Sequence, residues 1–335
     1  MNYIKESFLQ LLGADPRKPE KEEIKPAARE LYIEKKSITV TKAELIALHE
    51  EHHKNSKNKW LKRRWITLFL VNILFVVSYS LDIQVLEGAL TASRFIGFHM
   101  ADLNSALQVM LAYKQVLINL LIGIVTIFIL WILLGGRTFC SWVCPYHLLA
   151  EWTEKLHLYL AAKGWAKDYK FDRKVRSVFY VIFALLAVFT GFTVYEFISP
   201  TGILSRALIY GPTLALAWVA FLLLFEIFLS RRAWCRYVCP IGITYGLVGV
   251  ISPLRVSYNM TDCKHEGDCR NVCLVPHVLD VTIKNRSTDI SIPIGADCTR
   301  CGLCIDACPT SSLSFEFKGL THKPMNKMEE THDSV

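Results

Sequence analysis

Two eleven-residue stretches near the C-terminus share one spacing: CKHEGDCRNVC, from Cys263 to Cys273, and CTRCGLCIDAC, from Cys298 to Cys308. In the second, Cys298, Cys301, Cys304 and Cys308 are followed at once by Pro309. This C-x2-C-x2-C-x3-C-P run wraps three irons of a cubane iron–sulfur cluster with three close thiolates. When two runs are present, the fourth Cys of each ligates the other cluster, so the two loops have to meet in the fold. Zinc knuckles are built from separated CxxC pairs and do not match four Cys at this spacing.

The rule assigns ligands. One cluster takes Cys298, Cys301, Cys304 and Cys273. The other takes Cys263, Cys269, Cys308 and position 266, which is Glu266 where a Cys is expected. Two full clusters and the two further cysteine pairs described below would use twelve thiols, and the chain has eleven. Three outcomes are open at the odd position. Glu266 ligates the fourth iron through oxygen, that iron is absent, or an outside ligand such as water caps it. Oxygen is harder than thiolate and less well matched to this iron, so a labile fourth iron is expected, held weakly by Glu266. The cofactors read from the sequence are thus one [4Fe-4S] cluster and one [4Fe-4S] or [3Fe-4S] cluster. His265 is off the register, and after Cys273 the direct Cys–Pro is lost, with Pro276 further on.

The rest of the chain is apolar, with mean hydropathy +0.30 and 52% hydrophobic residues. Four runs stand out: Trp65–Leu81, Val116–Leu134, Val178–Ile198 and Pro212–Leu229, of 17 to 21 residues. Helices of that length cross a hydrocarbon core of roughly 30 Å. The expected fold is an α-helical membrane protein with four transmembrane helices and a C-terminal α+β two-cluster domain. The first run lies behind a long charged segment with no cleavage site after it, unlike a signal peptide. Basic residues concentrate before the first run, between the second and third, and after the fourth; Lys62, Arg64, Arg137, Arg176 and Arg232 are among them. The +8 charge therefore reads as a topology signal, with both termini cytoplasmic, and not as nucleic-acid binding. Cysteines on that side favour metal or redox chemistry over disulfides.

Residues 1–60 read as a charged, helical, cytoplasmic extension. Thr41 with Glu44 reads as a capping box. HEEHH, from His49 to His53, formally matches HExxH, but the helix around it is charged on most faces and reads as solvated. Residues 61–252 form the membrane domain, 253–320 the cluster domain and 321–335 a disordered tail. In the first outer loop, His99 and Asp102 are candidates for accepting quinol protons; the plainer reading makes His99 a packing residue and Asp102 a helix cap. Glu196 and Glu226 lie within apolar runs, where a charge is a functional candidate by default, although Glu226 has Arg231 and Arg232 within reach as partners.

An internal repeat completes the inventory. GGRTFCSWVCP and RRAWCRYVCP both read Arg–x–aromatic–Cys–x–aromatic–Val–Cys–Pro. Cys140 and Cys144 are four apart, as are Cys235 and Cys239, which puts each pair on one face of a helix. The following Pro restricts the second Cys and ends the helix there. Four thiols at one mouth of a bundle suit a further cluster, a dithiol relay, or a clamp on the cluster domain; the structural alternative is a shared helix-end motif.

This combination resembles the NapH family, ferredoxin-type membrane subunits of periplasmic nitrate reductase systems. The resemblance runs over roughly residues 60–320 and rests on the two repeat motifs, CLVPHVL (Cys273 to Leu279) and CTRCGLCIDACP. The family's first cluster motif has Cys where this chain has Glu266. The resemblance implies a quinol dehydrogenase component in the inner membrane. It would take electrons from menaquinol or ubiquinol with an iron–sulfur partner of the NapG kind and a c-type cytochrome, toward a periplasmic reductase of nitrate or nitrous oxide. The membrane core is also similar to the C-terminal part of NosR, to NosH and to the FixG/CcoG group. The last of these implies an alternative: a cytoplasmic-side copper reductase or metalloenzyme assembly factor.

Overall fold

The computed structural model describes residues 3–37, 44, 47, 50, 58–82, 86–95 and 98–318. Thr41, the HEEHH segment apart from Glu50, and the expected tail lie outside the described residues. After two N-terminal helices, α1 (Tyr3–Leu11) and α2 (Pro26–Ser37), comes the long α3 (Lys59–Ser80). A three-stranded antiparallel meander follows: β1 (Leu86–Ala89), β2 (Ala92–Phe95) and β3 (Phe98–Ala101). Then come α4 (Leu103–Tyr113), α5 (Ile118–Leu134), the short α6 (Thr138–Trp142), α7 (Pro145–Ala162) and α8 (Val175–Thr190). The bundle is completed by α9 (Val194–Ile198), α10 (Pro200–Tyr210), α11 (Leu216–Phe228), a π-helical turn at Trp234–Val238, and α12 (Ile241–Ile251).

The apolar runs do not become spanning helices: among the described residues, no helix is long and apolar enough to cross a membrane. The four transmembrane helices expected from hydropathy are therefore corrected, and the reasons are local. Lys59, Lys62, Arg63 and Arg64 occupy the first turns of α3. Left-handed Gly135 ends α5 after 17 residues, about 25 Å of rise. Gly191 ends α8 after 16 residues, and the rest of that apolar run turns off into α9. The run from Pro212 is helical only from Leu216, giving 13 residues and about 20 Å. Some of the flanking charge is also internal. Arg64 is buried against Glu151 at 2.5 Å, Arg137 and Arg176 meet buried Asp297, and buried Arg232 pairs with Glu154. Yet α3, α5, α8 and α11 leave rows of large apolar side chains exposed, among them Ile66, Phe69, Leu70 and Ile73 of α3.

The C-terminal part is built on β4 (Leu254–Asn259), flanked antiparallel by β5 (Ser291–Pro293) and β6 (Leu313–Phe317) in the order β5-β4-β6. Two four-residue helices, α13 (Asp268–Asn271) and α14 (Leu303–Asp306), lie within the two cysteine loops and carry Cys269 and Cys304. Its core joins Val256, Tyr258, Met260, Leu279, Ile294 and Leu313 to Ile24 and Ala28 of the N-terminal segment. That segment, read from sequence as a charged helical extension, is thus partly interior. Leu11 is fully buried, and a Cβ on Gly246 of α12 would lie 2.2 Å from its Cδ1.

Candidate metal centre

The two cysteine loops fold alike although one lacks a thiol. In each, the residue two after the first Cys is left-handed (His265, φ 59°; Arg300, φ 51°), and its backbone N–H donates to that Cys sulfur at 3.4 Å. Two residues later comes a left-handed glycine, Gly267 or Gly302, which opens the short helix. These turns aim the sulfurs inward, and the amide donor stabilises a thiolate. Glycine is needed at 302 for a second reason: a Cβ there would sit 2.6 Å from Trp60 Cβ.

The loops enclose two cavities. One is lined by Cys273, Cys298, Cys301 and Cys304 amid Val256, Val278, Leu279 and Ile294. The other is lined by Cys263, Glu266, Cys269 and Cys308 with His265, Tyr258 and Thr282. Each thus gathers the residues that the spacing rule groups. His265 uses Nδ1 on the Thr282 carbonyl at 2.8 Å. Burial pushes the Cys298 and Cys269 thiols up to about 11, so a bound cation is what makes them thiolates.

A third cavity of about 390 Å³ lies between the bundle and the cluster domain. Cys140, Cys144, Cys235 and Cys239 all line it. The first pair sits on and just after α6, the second on and just after the π-helical turn. Cys144 and Cys239 are extended (ψ 116° and 111°), and Pro145 opens α7, so the proline does end each turn. Cys144 Sγ lies 3.2 Å from Thr201 Oγ1, and Cys239 Sγ lies 3.4 Å from the Tyr195 hydroxyl. Burial pushes Cys140 up to about 11 and Cys144 up to about 12. The same walls carry Arg137, Arg173, Arg176, Arg231, Arg232 and Arg236. Buried Nε atoms of Arg137 and Arg176 and Nη2 of Arg232 have no hydrogen-bond partner. A cavity with four thiols and spare guanidinium donors fits an anionic, thiolate-held group.

Among the described residues, no three His, Cys, Asp or Glu side chains converge to hold a single metal ion. A cubane asks for a different arrangement, with thiols spread around a cage, each reaching a different iron. Each of the three cavities is lined by three or four cysteines.

The first pair is tied directly to the cluster domain. Ser141 Oγ donates to the Thr299 carbonyl at 2.7 Å, and Trp142 Nε1 donates to the Arg300 carbonyl at 3.1 Å. Both acceptors lie between Cys298 and Cys301. Beside them Asp297, 1% exposed, gathers Arg137 (2.5 Å), Arg176 (3.1 Å) and His277 (2.8 Å). Burial alone would raise its carboxyl, but Arg137 and Arg176 hold it well below the usual range. Sequence reasoning missed Asp297; its place one residue before Cys298 is the only signal it offers.

The remaining candidates divide. Asp102 caps α4, accepting from the Asn104 and Ser105 amides, and also accepts from Tyr245 and lies beside Ser105 Oγ. Glu196 accepts from that same hydroxyl. Glu226 does not pair with Arg231 or Arg232, which take Asp168 and Glu154. It accepts instead from Tyr146 (3.0 Å) and from the Trp234 amide (3.1 Å), which fixes the second cysteine turn, and burial pushes it up to about 7. His99 contributes its backbone to β3, opposite Arg94; its side chain lies outside the described residues.

Comparison with known proteins agrees with this geometry. A 4Fe-4S binding domain model matches residues 116–164 and 211–257, the segments carrying the two cysteine pairs. Another matches residues 295–314, around the second loop. The chain is 31% identical to the methylamine utilization ferredoxin-type protein MauN of Paracoccus denitrificans, over 76% of this chain and 90% of that protein. The chain belongs to the NapH and MauN family of ferredoxin-type proteins. MauN of Methylorubrum extorquens is 30% identical over 80% of this chain and 92% of its own length. The ferredoxin-type protein NapH of Escherichia coli is 28% identical over 75% and 89%. No solved structure matches the chain.

Proposed function

We propose that this NapH-like electron-transport protein takes electrons from a quinol and passes them toward a reductase or dehydrogenase partner. The observation that carries the reading is the junction at Ser141 and Trp142, which hydrogen-bonds a four-thiol cavity to the loop of a second thiol-lined cavity. Iron–sulfur clusters, when bound, supply one-electron transfer. Cys273, Cys298, Cys301 and Cys304 would hold one cluster; Cys263, Cys269 and Cys308, with Glu266 at the fourth position, would hold another. We add a third to the two read from sequence, held by Cys140, Cys144, Cys235 and Cys239.

The chain's own residues do the rest. Apolar walls exclude water from the cage around Cys301. Arg137 offers positive charge to Cys140 on one side and to Asp297 on the other, lowering the cost of negative charge at the junction. Glu226 and Tyr146 hold the second turn in place.

We also infer work at the inner membrane, the exposed apolar faces of α3, α5, α8 and α11 lying against lipid. Proteins of the NapG kind and a c-type cytochrome are the partners this role calls for. The test is reduction of the anaerobically purified protein by a quinol analogue. Cys301→Ala is expected to abolish reduction of the centre that Cys301 holds, and with it quinol-linked electron flow to a partner, while the chain still folds and co-floats with lipid vesicles. Unimpaired electron flow in that variant overturns the reading and moves metal reduction or metalloenzyme assembly to the front.

A further inference from the structure

Ser105 Oγ stands between two carboxyl groups, 3.1 Å from Asp102 Oδ2 and 2.7 Å from Glu196 Oε2. A serine hydroxyl has one proton and donates one hydrogen bond. Two ionised carboxylates would leave one of these contacts as oxygen against oxygen with no hydrogen between. The charge balance agrees. Arg206 of α10 approaches Glu196 only to 3.9 Å and is 42% exposed, a weak partner for two carboxylates. The other titratable groups facing the pair are Tyr245 of α12, which donates to Asp102 Oδ1 at 2.8 Å, Tyr195 of α9, and Cys140. Burial pushes the Asp102 carboxyl up.

We propose that Asp102, Ser105 and Glu196 form a proton relay holding one exchangeable proton between its two carboxyls. With that proton on Asp102, Oδ2–H donates to Ser105 Oγ, and Ser105 donates to Glu196. In transfer, Oδ2–H breaks as a new Oγ–H forms, and the old Oγ–H breaks as Oε2–H forms. One proton moves and no charge is created. The relay has a direction in the fold. Asp102 is 4% exposed, and its partner Tyr245 stacks on Phe139, the residue before Cys140. The Glu196 side chain is 19% exposed, beside Arg206 at the surface. The relay therefore runs from behind the four-thiol cavity to solvent. Its service as an outlet for the two hydroxyl protons of a quinol, whose two electrons go to the iron–sulfur centres, rests on the function proposed above. The shared proton does not.

The test is infrared spectroscopy of the full-length protein near neutral pH, in H2O and D2O. A deuterium-sensitive carbonyl band of a protonated carboxyl is expected. It should vanish in both Asp102→Asn and Glu196→Gln, because either change leaves one carboxylate alone with the Ser105 donor. Asn is also a good N-cap, so the first variant keeps α4. Ser105→Ala should slow deuterium exchange of the band by about tenfold. A band lost in only one of the two carboxyl variants, or in neither, overturns the proposal. Any signal from Glu226 persists in both and is removed by Glu226→Gln. A shared proton in a protein that quinol does not reduce would leave the relay standing and remove its proposed use.

Discussion

Replacing Asp297 by Asn should loosen the joint between bundle and cluster domain. The change keeps the shape and removes the charge that Arg137, Arg176 and His277 share, in a group 1% exposed. Both arginine side chains are 6% exposed, so water does not replace the lost carboxylate. Arg137 keeps the Asp297 carbonyl at 2.7 Å and Arg176 keeps the Leu11 carbonyl at 2.8 Å, so hydrogen bonds survive where charge balance does not. Removing one member of a buried ion pair destabilises by about 3–5 kcal/mol. Denaturant unfolding of the full chain, followed by a cluster-domain probe, should show a loss of that size. Adding Arg176→Gln should recover part of it, since the second change removes an uncompensated charge, and a non-additive double mutant is the signature. The carboxyl is held low in the fold, so its contribution is present above the unfolded pKa and is lost as pH falls through the folded one. The Asn variant should therefore lose this part of the acid sensitivity. A variant as stable as the wild type, or strictly additive losses, would refute the reasoning.

Other outcomes follow from single sites. Glu226, raised to about 7, stabilises the fold fully below its unfolded pKa and progressively less as pH rises through neutrality. Thermal midpoints should fall over that range by the equivalent of up to about 3 kcal/mol, and Glu226→Gln should flatten the profile. Glu266→Cys should convert a three-iron or labile cluster-one signal in low-temperature EPR to a stable four-iron one; an unchanged spectrum would mean that position 266 is not a ligand. Gly136→Ala should destabilise by about 1–3 kcal/mol. Gly136 is left-handed (φ 67°), and a Cβ would lie 2.4 Å from the Tyr245 carbonyl oxygen and the Gly249 amide nitrogen. Denaturant midpoints check this directly.

The cysteine register was legible because each run encodes its own turn: a left-handed residue, a glycine and a short helix recur in both loops with or without the thiol at 266. The two CxxxCP motifs were legible as a repeat, and their proline stops appear where expected. What they meet was not. Ser141 and Trp142 reach carbonyls more than 150 residues away, and nothing local marks Asp297 as the hub for Arg137 and Arg176. Hydropathy overcalled the helices because apolar composition continues through Gly191 and the residues before Leu216, where the backbone is not helical, and because an apolar run of 17 to 19 residues leaves no margin for a span. The arginines within sequence reach of Glu226 do not pair with it, because Asp168 and Glu154 already occupy Arg231 and Arg232.

The most direct test is iron and sulfide content with EPR on the anaerobically purified full chain, compared with a Cys140→Ser, Cys235→Ser double variant. If the four-thiol cavity holds a cluster, the variant loses one cluster's share of iron and one paramagnetic signal, while the signals that depend on Cys301 and Cys269 remain. Unchanged iron content and an unchanged spectrum would contradict the account, leaving the repeated cysteines as a structural clamp.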